Sequence, residues 1–288
     1  MSEAGSATTY TLSDGQQIAC ATTGSGPDIV CVPGGPARAA GYLGDLGGLD
    51  GRYTLRLVDN RGSGGSRPTD LAALTVERIA QDLVELIPLL GLERPALLAH
   101  SFGARVVGKA LELRPDLAGS VVLVTPAPIV VDPALFTDAR RDLVEQRAGD
   151  PAYADAVEAA RALPSARPRE QGFLLEETTP LWYGRWEPQQ QEHAAREGRD
   201  VDVRAAMTLR NEATRWSPPD VSEVDAPVLV VAGSLDFLTP PAAAHAVHDL
   251  FTRGTYVEID GAGHFPWVDE PAAFAAVVDD FLRGDALT

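Results

Sequence analysis

Cysteine is nearly absent from this chain, cations are scarce, and no apolar run is long enough to cross a bilayer. Only Cys20 and Cys31 occur in 288 residues, and no Cys or His group has metal-ligand spacing. His245 and His248 stand three apart on an expected helix and read as an exposed polar face, so neither a metal nor a cofactor is expected. The two thiols fall in what read as neighbouring strands near the start, buried and reduced as in a cytosolic protein. Lys and Arg number 24 against 41 Asp and Glu, a formal charge of −17. Binding to phosphate backbones is driven by Lys and Arg, which excludes nucleic acid and anionic membrane as expected partners. The acidic balance weakly favours a cationic or neutral substrate. No stretch approaches the roughly 20 apolar residues of a membrane span. The first seven residues are acidic and polar, without the basic region and apolar core of a secretory signal, so a cytoplasmic setting is expected.

What is present is one large core and a distinctive serine. The composition, 45% hydrophobic and 23% charged, is that of an ordinary globular protein, and a chain this long buries about 75% of its unfolded surface. In Leu97-Leu98-Ala99-His100-Ser101-Phe102-Gly103-Ala104 an apolar run breaks at a small-x-Ser-x-Gly turn and continues with helical character. A sharp strand-to-helix turn that presents a nucleophile needs small residues two before and two after it, and Ala99 and Gly103 meet that need. A serine hydroxyl needs a base, and the base needs an orienting acid. Asp236 lies just past the apolar run 226–232, and His264 lies in the Gly-rich loop Asp260-Gly261-Ala262-Gly263-His264-Phe265-Pro266-Trp267 after the run 254–259. The order Ser101, Asp236, His264, each in a turn after an expected strand, points to acyl transfer through a Ser-His-Asp triad. Should Asp236 not be the acid, Asp132 is the next position to test. The oxyanion hole should use the amide of Phe102 and one amide from Pro33-Gly34-Gly35-Pro36-Ala37, with Gly35 chosen and Gly34 close behind.

These residues resemble the α/β-hydrolase superfamily and, within it, the proline iminopeptidase-like branch. Residues 33–37 look like that branch's His-Gly-Gly-Pro-Gly oxyanion loop, with Pro33, Ala37 and Ala99 departing from its pattern. Asp59-Asn60-Arg61-Gly62-Ser63-Gly64-Gly65-Ser66 is similar to its Asp-Gln-Arg-Gly-x-Gly-x-Ser segment, with Asn60 in place of Gln. Gly263-His264-Phe265-Pro266-Trp267 with Glu270-Pro271 looks like its C-terminal histidine loop. The resemblance implies an α/β fold with a mostly parallel eight-stranded sheet, flanking helices and a helical cap. It also implies cap glutamates that hold a substrate's free amino terminus, carried here onto Glu187 in Trp182-Tyr183-Gly184-Arg185-Trp186-Glu187 and onto Glu212.

The rest of the chain agrees with that architecture. Residues 8–21 alternate around Asp14-Gly15 as a hairpin. Short apolar runs follow at 29–32, 53–58, 96–99, 121–124, 228–232 and 256–259, as strands covered on both faces produce. Helical spacing lies between them, for example over 76–90 with Gly91 suited to a C-terminal cap. Alternating strands and helices imply a doubly wound parallel sheet. About a hundred residues after Val124 carry no strand signal and are expected to form the cap. The expected division is a catalytic core of 1–127 and 223–288 with a cap of 128–222. Trp182, Trp186 and Trp216 could give the cap an aromatic wall toward substrate, or simply fasten it to the core. Together these readings lead to the hydrolysis of an ester or amide in a small molecule or short peptide. The resemblance favours an aminopeptidase, and an esterase, thioesterase or tailoring hydrolase stands beside it. A non-catalytic ligand-binding relative of the same fold is the rival of another class.

Overall fold

In the computed structural model, residues 7–67, 69–127, 134–197, 201–212 and 217–284 are described. The expected apolar runs become strands with bounds shifted by two residues or fewer. They are β1 (Thr8–Thr11), β2 (Gln17–Gly24), β3 (Asp28–Val32), β4 (Thr54–Val58), β5 (Ala96–His100), β6 (Ser120–Val124), β7 (Val228–Gly233) and β8 (Gly254–Ile259). Their spatial order is β1-β2-β4-β3-β5-β6-β7-β8 in one eight-stranded sheet. β2 runs antiparallel to β1 and β4, and every other pairing is parallel.

The two faces of the sheet separate by residue parity, as a period of two requires. Val30, Val32, Leu97, Ala99, Val121 and Leu123 pack with α1 (Val76–Leu89) and α2 (Gly103–Leu113). Ile29, Cys31, Leu98, Val122 and Val231 pack on the other side with Leu43, Trp267 and Phe274. α1 begins where expected because the Thr75 hydroxyl accepts the Arg78 amide at 3.1 Å, an N-cap that satisfies one of the helix's orphan donors.

The two cysteines are a correction. Cys20 lies on β2 and Cys31 on β3, and β4 runs between those strands. Both are buried free thiols, and burial pushes the Cys20 thiol up to about 11. Sequence order put them side by side; the crossover to β4 separates them.

Between β6 and β7 the chain forms α3 (Ala134–Arg147), α4 (Ala154–Ala162), α5 (Pro168–Glu177), α6 (Pro188–Glu197) and α7 (Val203–Glu212). Val144, Tyr153, Ala156, Val157, Ala160 and Leu181 build a small core of this insert, into which Phe237 of the main body plugs. The chain then closes with α8 (Pro241–His248), α9 (Pro266–Asp269) and α10 (Pro271–Arg283). No helix of the described residues is long and apolar enough to cross a membrane.

The segment 59–66 turns out to be a brace. Arg61, 3% exposed, grips both oxygens of Asp82 on α1 at 2.7 Å and reaches Asp14 of the β1–β2 turn at 2.8 Å. Asp59 accepts the amides of Ala40 at 2.7 Å and Gly65 at 2.8 Å. The Ser66 hydroxyl donates to the Asp59 carbonyl at 2.6 Å and accepts the Ala19 amide at 2.8 Å. Burial pushes the Asp82 carboxyl above its ordinary value against the pull of Arg61. Removing one partner of a buried pair strands the other charge. Asp82→Ala is therefore expected to cost about 3–5 kcal/mol in urea denaturation, most of it recovered when Arg61→Met is added. A loss no larger than the roughly 1 kcal/mol of an exposed pair would show that Asp14 alone suffices to pair Arg61.

Candidate active site

Parallel strands present all their carboxyl ends at one edge, which is why three distant loops can meet there. Ser101 follows β5, Asp236 follows β7 and His264 follows β8. Ser101 is held at a φ of +50°, the strained left-handed conformation that an elbow imposes on its central residue. The turn closes tightly because Gly103 has no side chain: a Cβ there would stand 2.5 Å from the Val32 carbonyl oxygen. The Ser101 amide donates to Val124 and its carbonyl accepts from Ala127, both at 3.0 Å.

Asp236 and His264 form a buried polar pair. His264 Nδ1 lies 2.8 Å from Asp236 Oδ2. Asp236 has no solvent exposure, so the chain must satisfy its carboxylate. Leu238 and Thr239 donate their amides to Oδ1 at 2.8 and 2.9 Å, and the Thr239 hydroxyl lies 2.6 Å from Oδ2. A carboxylate at Nδ1 assigns the proton to that nitrogen and leaves the Nε2 lone pair available as a base.

The His264 backbone is fixed on both sides. Its amide donates to the Trp182 carbonyl, and its own carbonyl accepts from Thr125 Oγ1 and from His100 Nε2, each at 3.0 Å. His100, the residue before Ser101, has its ring centroid 4.7 Å from that of His264. Among the described residues no hydrogen bond joins Ser101 Oγ to the His264 ring; such contacts commonly tighten only when substrate is bound. The Gly35 and Phe102 amides engage no acceptor among the described residues. Gly34 is a correction, because its amide is taken by the Tyr42 hydroxyl at 2.7 Å.

The cap candidates divide. Trp182 reaches the site only through its carbonyl; its ring is half-buried, with Nε1 on Thr178 Oγ1 at 3.0 Å. Trp186 packs on Tyr183 with ring centroids 5.5 Å apart. Both half-buried rings also pack against a cluster of the main body and against the insert's own core. Glu187 is exposed just before α6. The Glu212 side chain, Trp216 and Asp132 lie outside the described residues.

Four residues that sequence motifs did not single out also shape the site. Asp269 on α9 accepts the amides of Gly184 at 2.7 Å and Gly263 at 2.8 Å and the Gln190 side chain at 3.2 Å, tying the histidine loop to the insert. Burial pushes its carboxyl up to about 6 in spite of those donors. Arg140 of α3 donates to the Phe237 and Leu238 carbonyls at 2.8 and 2.6 Å, bracing the acid loop. His100 and Tyr42 lie against the Gly34 turn, joined to each other at 2.6 Å. Only His100 carried a signal, as the residue filling the variable position of the elbow.

Two cavities border the insert, and neither is lined by Ser101, Asp236 or His264. One of about 520 Å³ lies between α3 and α4, with Val144, Ala160, Leu163 and Phe237 beside the charged Arg140, Arg141, Glu145 and Arg161 in its lining. The other, about 550 Å³, lies behind Tyr42 and Trp267 against His193 of α6. Both are within the size range of small-molecule sites. Among the described residues, the group able to hold a metal ion is His245, His248 and Asp249, with ligand atoms within 4.8 Å of one another. It lies at the far end of α8, and Asp249 already accepts from His248 Nδ1 at 2.9 Å.

Comparison with known proteins bears on the fold. A sequence profile described as the alpha/beta hydrolase family matches residues 29–277. A pimeloyl-[acyl-carrier protein] methyl ester esterase of Aeromonas hydrophila is 25% identical over 266 residues, covering 90% of this chain and 96% of its own. Epoxide hydrolase A of Mycobacterium tuberculosis is 27% identical over 300 residues, covering 90% and 91%. The crystal structure of a proline iminopeptidase from Mycobacterium smegmatis superposes with a TM-score of 0.72 at 21% identity, covering 97% and 98%.

Burial holds the His193 imidazole down at about 4 and holds His100 well below its ordinary value. A histidine depressed in the folded state contributes stability that is complete above about 6.5 and is lost as pH falls, because the unfolded chain takes up the proton first. His193 alone accounts for about 2 kcal/mol lost by pH 5. Asp269 acts in the opposite sense below about 6, since its carboxyl protonates more readily in the folded chain. His193→Gln keeps a donor for the Tyr42 carbonyl without the titration. Urea midpoints at pH 7.5 and 5.0 are expected to differ less in this variant than in the parent; an equal difference would remove His193 as a source of acid sensitivity.

Proposed function

The chain belongs to the alpha/beta hydrolase family, and from that premise we propose that it is a serine hydrolase that cleaves carboxylic esters through an acyl-enzyme on Ser101. Family membership leaves the substrate open, since the relatives include an esterase and an epoxide hydrolase. The nucleophile narrows it. A serine oxygen that opened an epoxide would be left as a stable ether, whereas a serine acyl ester is readily hydrolysed. The observation that carries the reading is the dry Asp236–His264 hydrogen bond of 2.8 Å beside a left-handed serine at the end of a neighbouring strand.

In this mechanism His264 Nε2 removes the Ser101 proton as Oγ attacks the ester carbonyl. The oxyanion rests on the Gly35 and Phe102 amides. Collapse expels the alkoxide, which takes the proton from His264, and a water activated by the same imidazole releases the acid. Asp236 orients the ring and stabilises its charged form. The aminopeptidase reading is the second choice: it calls for carboxylates facing a free amino terminus, and Glu187 is exposed to solvent.

A fluorophosphonate probe is expected to label the parent and not Ser101→Ala. Ser101→Ala and His264→Ala are each expected to lower kcat by about 10⁶-fold and Asp236→Asn by about 10⁴-fold with the fold retained. Short-chain aryl esters should be cleaved in preference to prolyl or alanyl arylamides. Arylamide turnover above ester turnover would restore the peptidase reading. A folded parent that resists the probe, with Ser101→Ala behaving identically, would establish the ligand-binding alternative.

A further inference from the structure

We propose that Tyr42 is a positioning residue for the oxyanion loop: its hydroxyl, oriented by His100, holds the Gly34 amide so that the adjacent Gly35 N–H faces the oxygen developing on the substrate. This rests on the hydrolase reading above and adds to it a residue that neither the motifs nor the family resemblance singled out.

The direction of every hydrogen bond in the chain follows from one carbonyl. His100 Nε2 lies 3.0 Å from the His264 carbonyl oxygen, which can only accept, so Nε2 carries the proton. In a neutral imidazole Nδ1 is then an acceptor, and its partner at 2.6 Å is Tyr42 Oη, so the phenol donates. With its proton committed to His100, the Tyr42 oxygen presents lone pairs, and the Gly34 amide donates to it at 2.7 Å. His100 has no solvent exposure, and burial together with the neighbouring His264 keeps it neutral. Carbonyl, imidazole, phenol and amide are thus satisfied in a single sense.

The fit around Gly34 leaves no slack. A Cβ at that position would stand 2.8 Å from His100 Nδ1, 3.0 Å from Ser101 Cβ and 3.1 Å from Tyr42 Oη. The loop is drawn against the nucleophile turn until only hydrogen fits. Tyr42 itself is anchored from the insert. Its carbonyl accepts from His193 Nε2 at 3.0 Å, and His193 Nδ1 accepts the Tyr183 hydroxyl at 2.9 Å. Phe265 and Trp267 pack on the Tyr42 ring at centroid distances of 6.2 and 6.3 Å. The phenol is held at both ends, and through it α6 is joined to the loop that bears Gly35.

Tyr42→Phe retains the ring and deletes the hydrogen bond. Deleting an oxyanion donor outright lowers kcat by about 10²–10³-fold, so loosening one is expected to lower it by about 10–100-fold. The readout is kcat and KM for a p-nitrophenyl ester, with kcat expressed per Ser101 titrated by a fluorophosphonate. KM should stay within about twofold, because the loop acts on the transition state. The phosphonylation rate of Ser101 should fall in parallel with kcat, since the phosphoryl oxygen uses the same amides. His100→Leu, which removes the acceptor, should reproduce the kcat loss. His100→Asn, which can present an oxygen near the Nδ1 position, should recover most of it, and this pair decides the matter if Tyr42→Phe does not fold. Parent-like kcat and phosphonylation in Tyr42→Phe, or a rise in KM alone, would overturn the role of Tyr42 while leaving the hydrolase reading intact. Failure of Ser101 to react in the parent would overturn both.

Discussion

A carboxylate cut off from water has to be saturated by the chain, and the site is organised around meeting that demand at Asp236. Desolvating such a charge costs several kcal/mol. Two amides from the turn that follows, the Thr239 hydroxyl and His264 Nδ1 provide the compensation. Each of those donors is fixed in its own right. Thr239 leads into α8, His264 is tied through its backbone to Trp182, Thr125 and His100, and Arg140 clamps the carbonyls of Phe237 and Leu238. The imidazole is therefore oriented by the folded structure before any substrate arrives, which is what electrostatic preorganisation requires.

The sheet and the three proposed triad positions were legible because they depend on local rules. Short apolar runs bounded by turns specify strands buried on both faces, and a small-x-Ser-x-Gly turn carries its own geometric reason. The residues that were not legible are set by contacts distant in sequence. Tyr42 meets His100 across 58 positions and His193 across 151, and nothing in its own segment marks it. Asp269 lies five residues past His264 and reads as an ordinary helical acid until Gly184 and Gln190 arrive from the insert. The misplacement of Cys20 beside Cys31 has the same origin: strand neighbours were inferred from chain order, and β4 inserts between them. The Arg61 segment was recognised as a motif, but its work is mechanical, joining α1, the first hairpin and the loop at Ala40.

The way the insert is attached limits how a substrate can enter. Its anchors are directional hydrogen bonds at the edge of the site itself: Trp182 accepts the His264 amide, Gly184 donates to Asp269, His193 donates to the Tyr42 carbonyl at 3.0 Å and Arg140 donates to the carbonyls of Phe237 and Leu238. Lifting the insert as one body would break the bond that holds the His264 backbone and expose the buried Asp269 carboxyl. It would also pull Phe237 out of the insert's core. Each loss falls on a group that positions the imidazole, so an open insert would be a catalytically disordered one. Access has to be gained by smaller movements that leave these anchors in place. Arg140 and Arg147 serve this arrangement by placing their charge on main-chain carbonyls, so two of the cations of an acidic chain stiffen the insert and the loop after β7.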